Sequence, residues 1–267
     1  MDAVYAVILG IIQGITEFLP ISSSGHLVLM PIFTGEQDQG VAFDLAVHIG
    51  TLLAVVLYFR SDVGTLLKDG VASIVQRQHV GQSRLAWSVA MGTIPAGLAG
   101  LALIDLIDTH LRSAEVIMFT TLVFGLLLGF ADFTAKQTRS IQDINAKDVV
   151  IIGLFQALAL VPGTSRSGST ITAGLLLGLT REAASRFSFL LAIPITALAS
   201  AVKILEVAND ETAVIDWMAF AIGGLTSFIT AMLAIHFFLK WLNRFGMWPY
   251  VIYRIVMAFV IYLLILN

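Results

Sequence analysis

The stretch QGITEFLPISSSGH, residues 13–26, decides how this chain folds. It breaks an apolar run with a carboxylate, a proline, a row of serines, a glycine and a histidine. The pattern returns as QALALVPGTSRSGS, residues 156–169, again inside an apolar run. Aligned without a gap, Gln13 falls on Gln156, Ser22 on Ser165, Ser24 on Ser167 and Gly25 on Gly168. The two copies carry opposite charges, Glu17 in the first and Arg166 in the second. An ionisable side chain at bilayer depth costs several kcal/mol and marks a functional site by default.

Composition places both copies in a membrane. Of 267 residues, 58% are hydrophobic and only 12% charged, and the mean hydropathy is +0.91. Soluble domains carry about 25% charged residues. Alternating strand patterns are absent, so the apolar runs are read as helices, which satisfy their own backbone in lipid. The chain has no cysteine, which excludes disulfides, thiolate nucleophiles and cysteine-bound metals. No basic segment precedes the first apolar run, which argues against a cleaved signal peptide. Nothing points to a nucleic-acid partner.

About 20 apolar residues are needed to cross a bilayer. Six runs reach that length, near 43–59, 85–104, 114–131, 187–205, 214–238 and 249–266. The polar stretches 60–84 and 132–148 are read as loops. Residues 3–33 and 149–180 are each broken in the middle, and each reads as two short helices around a turn. Irregular backbone at that depth is tolerated only where it is buried or lines a watery cavity. Both are therefore expected to be re-entrant hairpins.

Charge sets the orientation, since cytoplasmic loops are rich in Lys and Arg. Arg60, Lys68, Arg77 and Arg84 fall in one connection; Lys136, Arg139 and Lys147 fall in another. Arg181 and Arg186 follow the second hairpin, and Lys240 and Arg244 lie in the last loop. Asp105 and Asp108, and Asp210 and Glu211, mark the other side, and residues 1–42 hold neither Lys nor Arg. With the basic loops inside, every span alternates and both termini lie outside. Each half, about 1–135 and 136–267, is then one hairpin plus three spans. The expectation is an all-α polytopic membrane protein with an inverted-topology repeat, a single membrane domain whose broken helices meet near the midplane.

Gln13 and Glu17 are four apart and share a helix face. Gly10 and Gly14 beside them read as a small-residue packing stripe. Pro20 ends the first short helix, because the residue before a proline avoids helical geometry. Ser22, Ser23, Ser24 and Gly25 then start a second, whose free N–H groups favour an anion, phosphate above all. One serine would serve as a cap; three followed by Gly25 and His26 exceed that need. Near a hydroxyl and a carboxylate, His26 becomes a candidate general acid or base. Thr164, Ser165, Arg166, Ser167 and Gly168 repeat the arrangement, with a guanidinium that matches phosphate oxygens. Together they predict a strongly anion-binding pocket sized for a diphosphate. His48 and Arg254 read as structural bridges, and Gly223 and Gly224 allow a homodimer seam without requiring one.

The segments QGITEFLPISSSGH and PGTSRSGST resemble the signatures of the undecaprenyl-diphosphate phosphatase family, also called the bacitracin resistance protein family. The resemblance spans nearly the whole chain. It implies an enzyme of the bacterial inner membrane that removes the terminal phosphate of a polyprenyl diphosphate at the periplasmic face. It also implies recycling of the lipid carrier for cell-wall synthesis, and a divalent cation, Mg²⁺ or Ca²⁺. By position, Ser23 matches the family's proposed nucleophile, His26 its motif histidine, Arg166 its phosphate-binding arginine and Glu17 the second acid of its E/Q-x-x-x-E motif. Glu17 would also be the metal ligand. Gln13 stands where some relatives have Glu, leaving one fewer carboxylate for a metal, and Ser24 stands where relatives often have Thr. A lipid-phosphate transporter is the alternative, because inverted repeats with broken helices also build transporters.

Overall fold

The computed structural model describes residues 1–209 and 215–266, apart from the side chains of residues 32, 104, 105 and 108. The expectations for Asp105, Asp108, Asp210 and Glu211 therefore lie outside the described residues. Eleven α-helices run through the described chain: α1 Ala3–Thr16, α2 Ser23–Thr34, α3 Gly40–Tyr58, α4 Arg60–Gln76, α5 Ser83–His110, α6 Ala114–Thr134, α7 Ala146–Leu158, α8 Arg166–Leu176, α9 Arg181–Asn209, α10 Trp217–Phe245 and α11 Trp248–Ile265.

Six of these, α3, α5, α6, α9, α10 and α11, are long and apolar enough to cross a membrane. They fall on the six expected runs. The structure thus gives a multi-pass, all-helical membrane protein. Its outer faces are apolar, with Leu101 67% and Phe133 80% exposed, the reverse of a surface built for water. Inside, Phe18, Phe59, Phe187, Phe189 and Phe238 anchor the main core.

One expectation fails outright. Residues 60–76, read as loop, form α4. Its exposed Leu67, Val71, Ile74 and Val75 recur at helical spacing, a stripe obscured by the polar residues between them.

Glycines decide how closely three helices approach. A Cβ on Gly14 of α1 would lie 2.6 Å from the Ser227 carbonyl oxygen of α10, and one on Gly50 of α3 would lie 2.2 Å from that of Gly224. Helix α10 is thus clamped between α1 and α3. Gly10 and Gly14 are packing residues, as their spacing predicts. Gly223 and Gly224, read as spare surface for a dimer, instead receive Phe43 and Ala46 of α3.

Contacts at the helix ends fix where each broken pair begins and ends. Met1, Asp2, residues 36–39 and Asp216 line one cavity of about 290 Å³, and the N-terminal ammonium lies 3.3 Å from Asp216. The start of α1, the end of α2 and the starts of α3 and α10 therefore share one end of the molecule. At the other end, Arg139 binds Asp148 at the start of α7 and the Leu177 carbonyl just past α8. Arg181, next along, pairs at 2.6 Å with Asp132 at the end of α6. Asp132 also accepts from the Met247 amide at the start of α11. The α1–α2 pair opens at one end and the α7–α8 pair at the other.

Candidate active site

The two broken pairs share their local geometry down to single dihedral angles. Ser22 caps α2 with φ 73° and accepts from the Gly25 amide; Ser165 caps α8 with φ 72° and accepts from the Gly168 amide. Neither residue is glycine, and such backbone costs on the order of 1–3 kcal/mol wherever it persists. The hydroxyls pair alike, Ser22 with Ser24 at 3.4 Å and Ser165 with Ser167 at 3.2 Å. In the second copy Gly163 has φ 86°, and a Cβ there would meet the Ile117 carbonyl oxygen at 2.6 Å, so only glycine fits. The turn after α1 starts earlier than expected, at Glu17 and not at Pro20.

Across the contact between the pairs, four expected residues converge. Glu17 accepts from Ser23 Oγ at 2.7 Å and from Gln13 Nε2 at 3.1 Å through Oε2, and from Arg166 Nη2 at 2.9 Å through Oε1. Arg166 also donates to the Ser188 carbonyl at 3.1 Å, and its guanidinium lies 5.9 Å from the centre of the Phe18 ring. Ser167 Oγ bonds the Leu19 carbonyl at 2.9 Å, a second tie between the copies. Ser22, Thr164, Ser165, Ser167 and Gly168 are buried around the cluster, while Ser24 is exposed. Arg166 and Glu17 are 14% and 9% exposed, so the ion pair is largely shielded.

His26 stands apart. Its Nδ1 lies 2.6 Å from the Ser22 carbonyl and its Nε2 2.6 Å from the Tyr253 hydroxyl, against whose ring it also stacks. A carbonyl only accepts, so Nδ1 carries the proton and, in the neutral ring, Nε2 accepts from Tyr253. The structure does not bring His26 into hydrogen-bond contact with Ser23 or Glu17. The counterpart glutamines also diverge, since Gln156 donates to the Gly92 carbonyl on α5.

Arg254, read as a structural bridge, does join separate segments. It is fully buried on α11 and donates to five main-chain carbonyls, two on α6 and three in the broken turns. Tyr253 and Ser188 escaped the sequence reading, because a lone tyrosine or serine inside an apolar span has no spacing signature.

A shielded carboxylate that accepts from a serine hydroxyl thus stands beside an arginine and two serine-capped helix starts in a multi-pass membrane protein. The model for the bacitracin resistance protein BacA matches residues 6–260. Two relatives, both named undecaprenyl-diphosphatase, are 66% identical: one from Idiomarina loihiensis, with 99% of each chain covered, and one from Marinobacter nauticus, with 98% covered. A third of that name, from Nitrosococcus oceani, is 50% identical over 99% of both chains. This chain belongs to the bacitracin resistance protein BacA family.

Proposed function

We infer that this chain is an undecaprenyl-diphosphatase, releasing the terminal phosphate of a polyprenyl diphosphate and returning the lipid monophosphate to cell-wall synthesis. The observation that carries it is the bond from Ser23 Oγ to Glu17, on a carboxylate held by Arg166 of the other broken pair. The full-length likeness to enzymes of that name supports it.

In the mechanism, the isoprenoid tail stays among the lipids and the diphosphate enters between the helix starts of α2 and α8. Arg166 exchanges part of its bond to Glu17 for the terminal phosphate and stabilises charge on the equatorial oxygens. Ser23 Oγ attacks the terminal phosphorus and passes its proton to Glu17. The bond from phosphorus to the bridging oxygen breaks, and the lipid monophosphate leaves with that electron pair. Glu17 passes that proton to the departing lipid monophosphate; it then takes a proton from water, whose oxygen attacks phosphorus, and returns it to Ser23 Oγ as the P–Oγ bond breaks and inorganic phosphate leaves. Ser22, Ser24, Gly25, Thr164, Ser165, Ser167 and Gly168 shape the anion pocket. His26 closes the far side of the serine turn.

A divalent cation fits this donor set. Gln13 is fully buried, its Oε1 has no partner, and its amide nitrogen bonds Glu17. The Glu17 carboxylate and the Gln13 amide oxygen would hold Mg²⁺ or Ca²⁺, hard cations that take oxygen ligands. When bound, it supplies charge neutralisation on the diphosphate.

We read the broken pairs as re-entrant hairpins of an inverted-topology repeat, halves about 1–135 and 136–267, in one membrane domain. The opposed openings of the pairs support this, and so does the charge asymmetry of the loops. With the basic loops inside, the protein sits in the bacterial inner membrane and the site opens toward the periplasm.

The test is phosphate release from a polyprenyl diphosphate in detergent, with and without Mg²⁺ or Ca²⁺, by wild type and by Ser23→Ala, Glu17→Gln and Arg166→Ala. Release by wild type, lost in all three folded variants, supports the reading. No release by folded wild type under any metal condition overturns it, and lipid flipping in proteoliposomes would then favour the transporter.

A further inference from the structure

We propose that Arg254 is a positioning residue for this reaction: it locks the turn before Ser23 and the turn before Arg166 into one frame. The inference rests on the phosphatase reading. Arg254 lies on α11, which adds no other side chain to the Glu17–Ser23–Arg166 cluster. Its Nε donates to the Thr121 carbonyl at 3.0 Å. Nη1 donates to the Thr164 carbonyl at 3.0 Å and to that of Pro20 at 3.3 Å. Nη2 donates to the Gly163 carbonyl at 2.9 Å and to that of Thr120 at 3.3 Å. A guanidinium has five N–H groups, and every one of them ends on main chain.

The choice of carbonyls carries the argument. Pro20 lies three residues before Ser23, and Gly163 and Thr164 immediately precede the Ser165–Arg166 helix start. A single nitrogen, Nη1, therefore spans the two copies. The carbonyls of Thr120 and Thr121 tie both turns to α6, where the Thr120 and Thr121 hydroxyls in turn bond the carbonyls of Pro162 and Gly163. Neighbouring backbone is fitted to the side chain. A Cβ on Gly125 of α6 would lie 2.9 Å from Arg254 Cβ, and one on Gly168 would lie 3.1 Å from Nη1. Arg254 is 0% exposed and among the described residues makes no ion pair with a carboxylate. A charge buried on such terms is costly, and an apolar side chain would fill the core without that cost. An apolar side chain cannot hold these carbonyls at all, and a lysine, with three N–H groups on one nitrogen, cannot reach all five from its one point. The reaction needs both turns held, because Ser23 and Arg166 arrive on different segments, and a misplacement of about 1 Å costs on the order of 10²-fold in rate.

The experiment measures kcat and KM per folded molecule, well below each melting temperature, for wild type, Arg254→Lys, Arg254→Met and Gly125→Ala. Inhibition by inorganic phosphate is followed in parallel. The expected result is a kcat lower by about 10²-fold in both Arg254 variants, with KM and phosphate inhibition changed only a few-fold. Arg254→Lys should stay at least about 10-fold short of wild type even where it recovers stability. Gly125→Ala keeps the arginine but pushes it aside, so it should lose kcat in the same pattern and tests the idea even if Arg254 variants do not fold. Lower melting temperatures with kcat per folded molecule within two-fold of wild type would reduce Arg254 to a structural bridge and overturn the inference. An inactive wild type would instead overturn the phosphatase reading, and this inference with it.

Discussion

Glu17 Oε1 and Arg166 Nη2 stand 2.9 Å apart although 149 residues separate them in the chain. The pair joins the turn after α1 to the start of α8, so the cluster forms only when these two segments are docked. Removing one partner strands the other charge in a poorly solvated place, at a cost of about 3–5 kcal/mol. Glu17→Ala and Arg166→Ala should each lower the melting temperature in detergent, and the double variant should lose less than the sum of the two. Additive losses would mean that the pair contributes nothing to docking the two segments.

Ser23 and Ser24 are neighbours with different surroundings. Ser23 bonds Glu17, whereas Ser24 is exposed and pairs with the Ser22 hydroxyl. Ser23→Ala should lower kcat by on the order of 10³-fold or more, as loss of a nucleophile does. Ser24→Ala should act mainly on KM. Rapid quench with mass spectrometry should find phosphate on Ser23, and repeated absence of that adduct would favour direct attack by water.

The twin caps allow a test of the repeat that needs no activity. Ser22 and Ser165 hold φ near +72°, which strains any residue with a Cβ, and both cap a helix. Alanine loses the cap and keeps the strain; glycine loses the cap and relieves it. At both sites Ala should therefore be less stable than Gly by about 1 kcal/mol, the reverse of helix propensity. Thermal unfolding of the four variants would show it, and Ala equal to Gly at either position would count against strain there.

How much of this was legible in the sequence follows from the forces involved. The six spans were, because burial in lipid demands long apolar runs that hydropathy reads directly. Helix α4 was not: its stripe from Leu67 to Val75 is diluted by Asp69, Gly70 and Lys68, and polar composition suggested a loop. The pairing of Gln13 with Glu17 follows from helical spacing, and the serine caps from the serine rows. The contact of Ser23 with Glu17 depends on the turn between α1 and α2, and those of Arg166 with Glu17 and Ser188 on how distant helices dock, neither of which spacing encodes. His26 shows the cost of reading proximity from sequence. Three residues after Ser23, on a neighbouring position of α2, its ring is taken by the Ser22 carbonyl and by Tyr253 of α11, and that long-range partner has no signature in the sequence.

That orientation makes a prediction about His26 and Tyr253, whose Nε2 and hydroxyl lie 2.6 Å apart. The two residues also wall one end of an apolar groove between α2 and α11, lined by Met30, Phe33, Val256 and Val260. If His26 acts through its own proton chemistry, Tyr253→Phe frees Nε2 and leaves activity near wild type, while His26→Ala abolishes it. If instead the pair acts as a unit that braces the serine turn, both variants lose activity and the double variant loses no more than the worse single one. The geometry favours the second outcome, because both ring nitrogens are already committed, Nδ1 to the Ser22 carbonyl and Nε2 to Tyr253. A double-mutant cycle on kcat/KM decides it, and full activity of Tyr253→Phe would return His26 to the proton-transfer role that its place in the sequence implies.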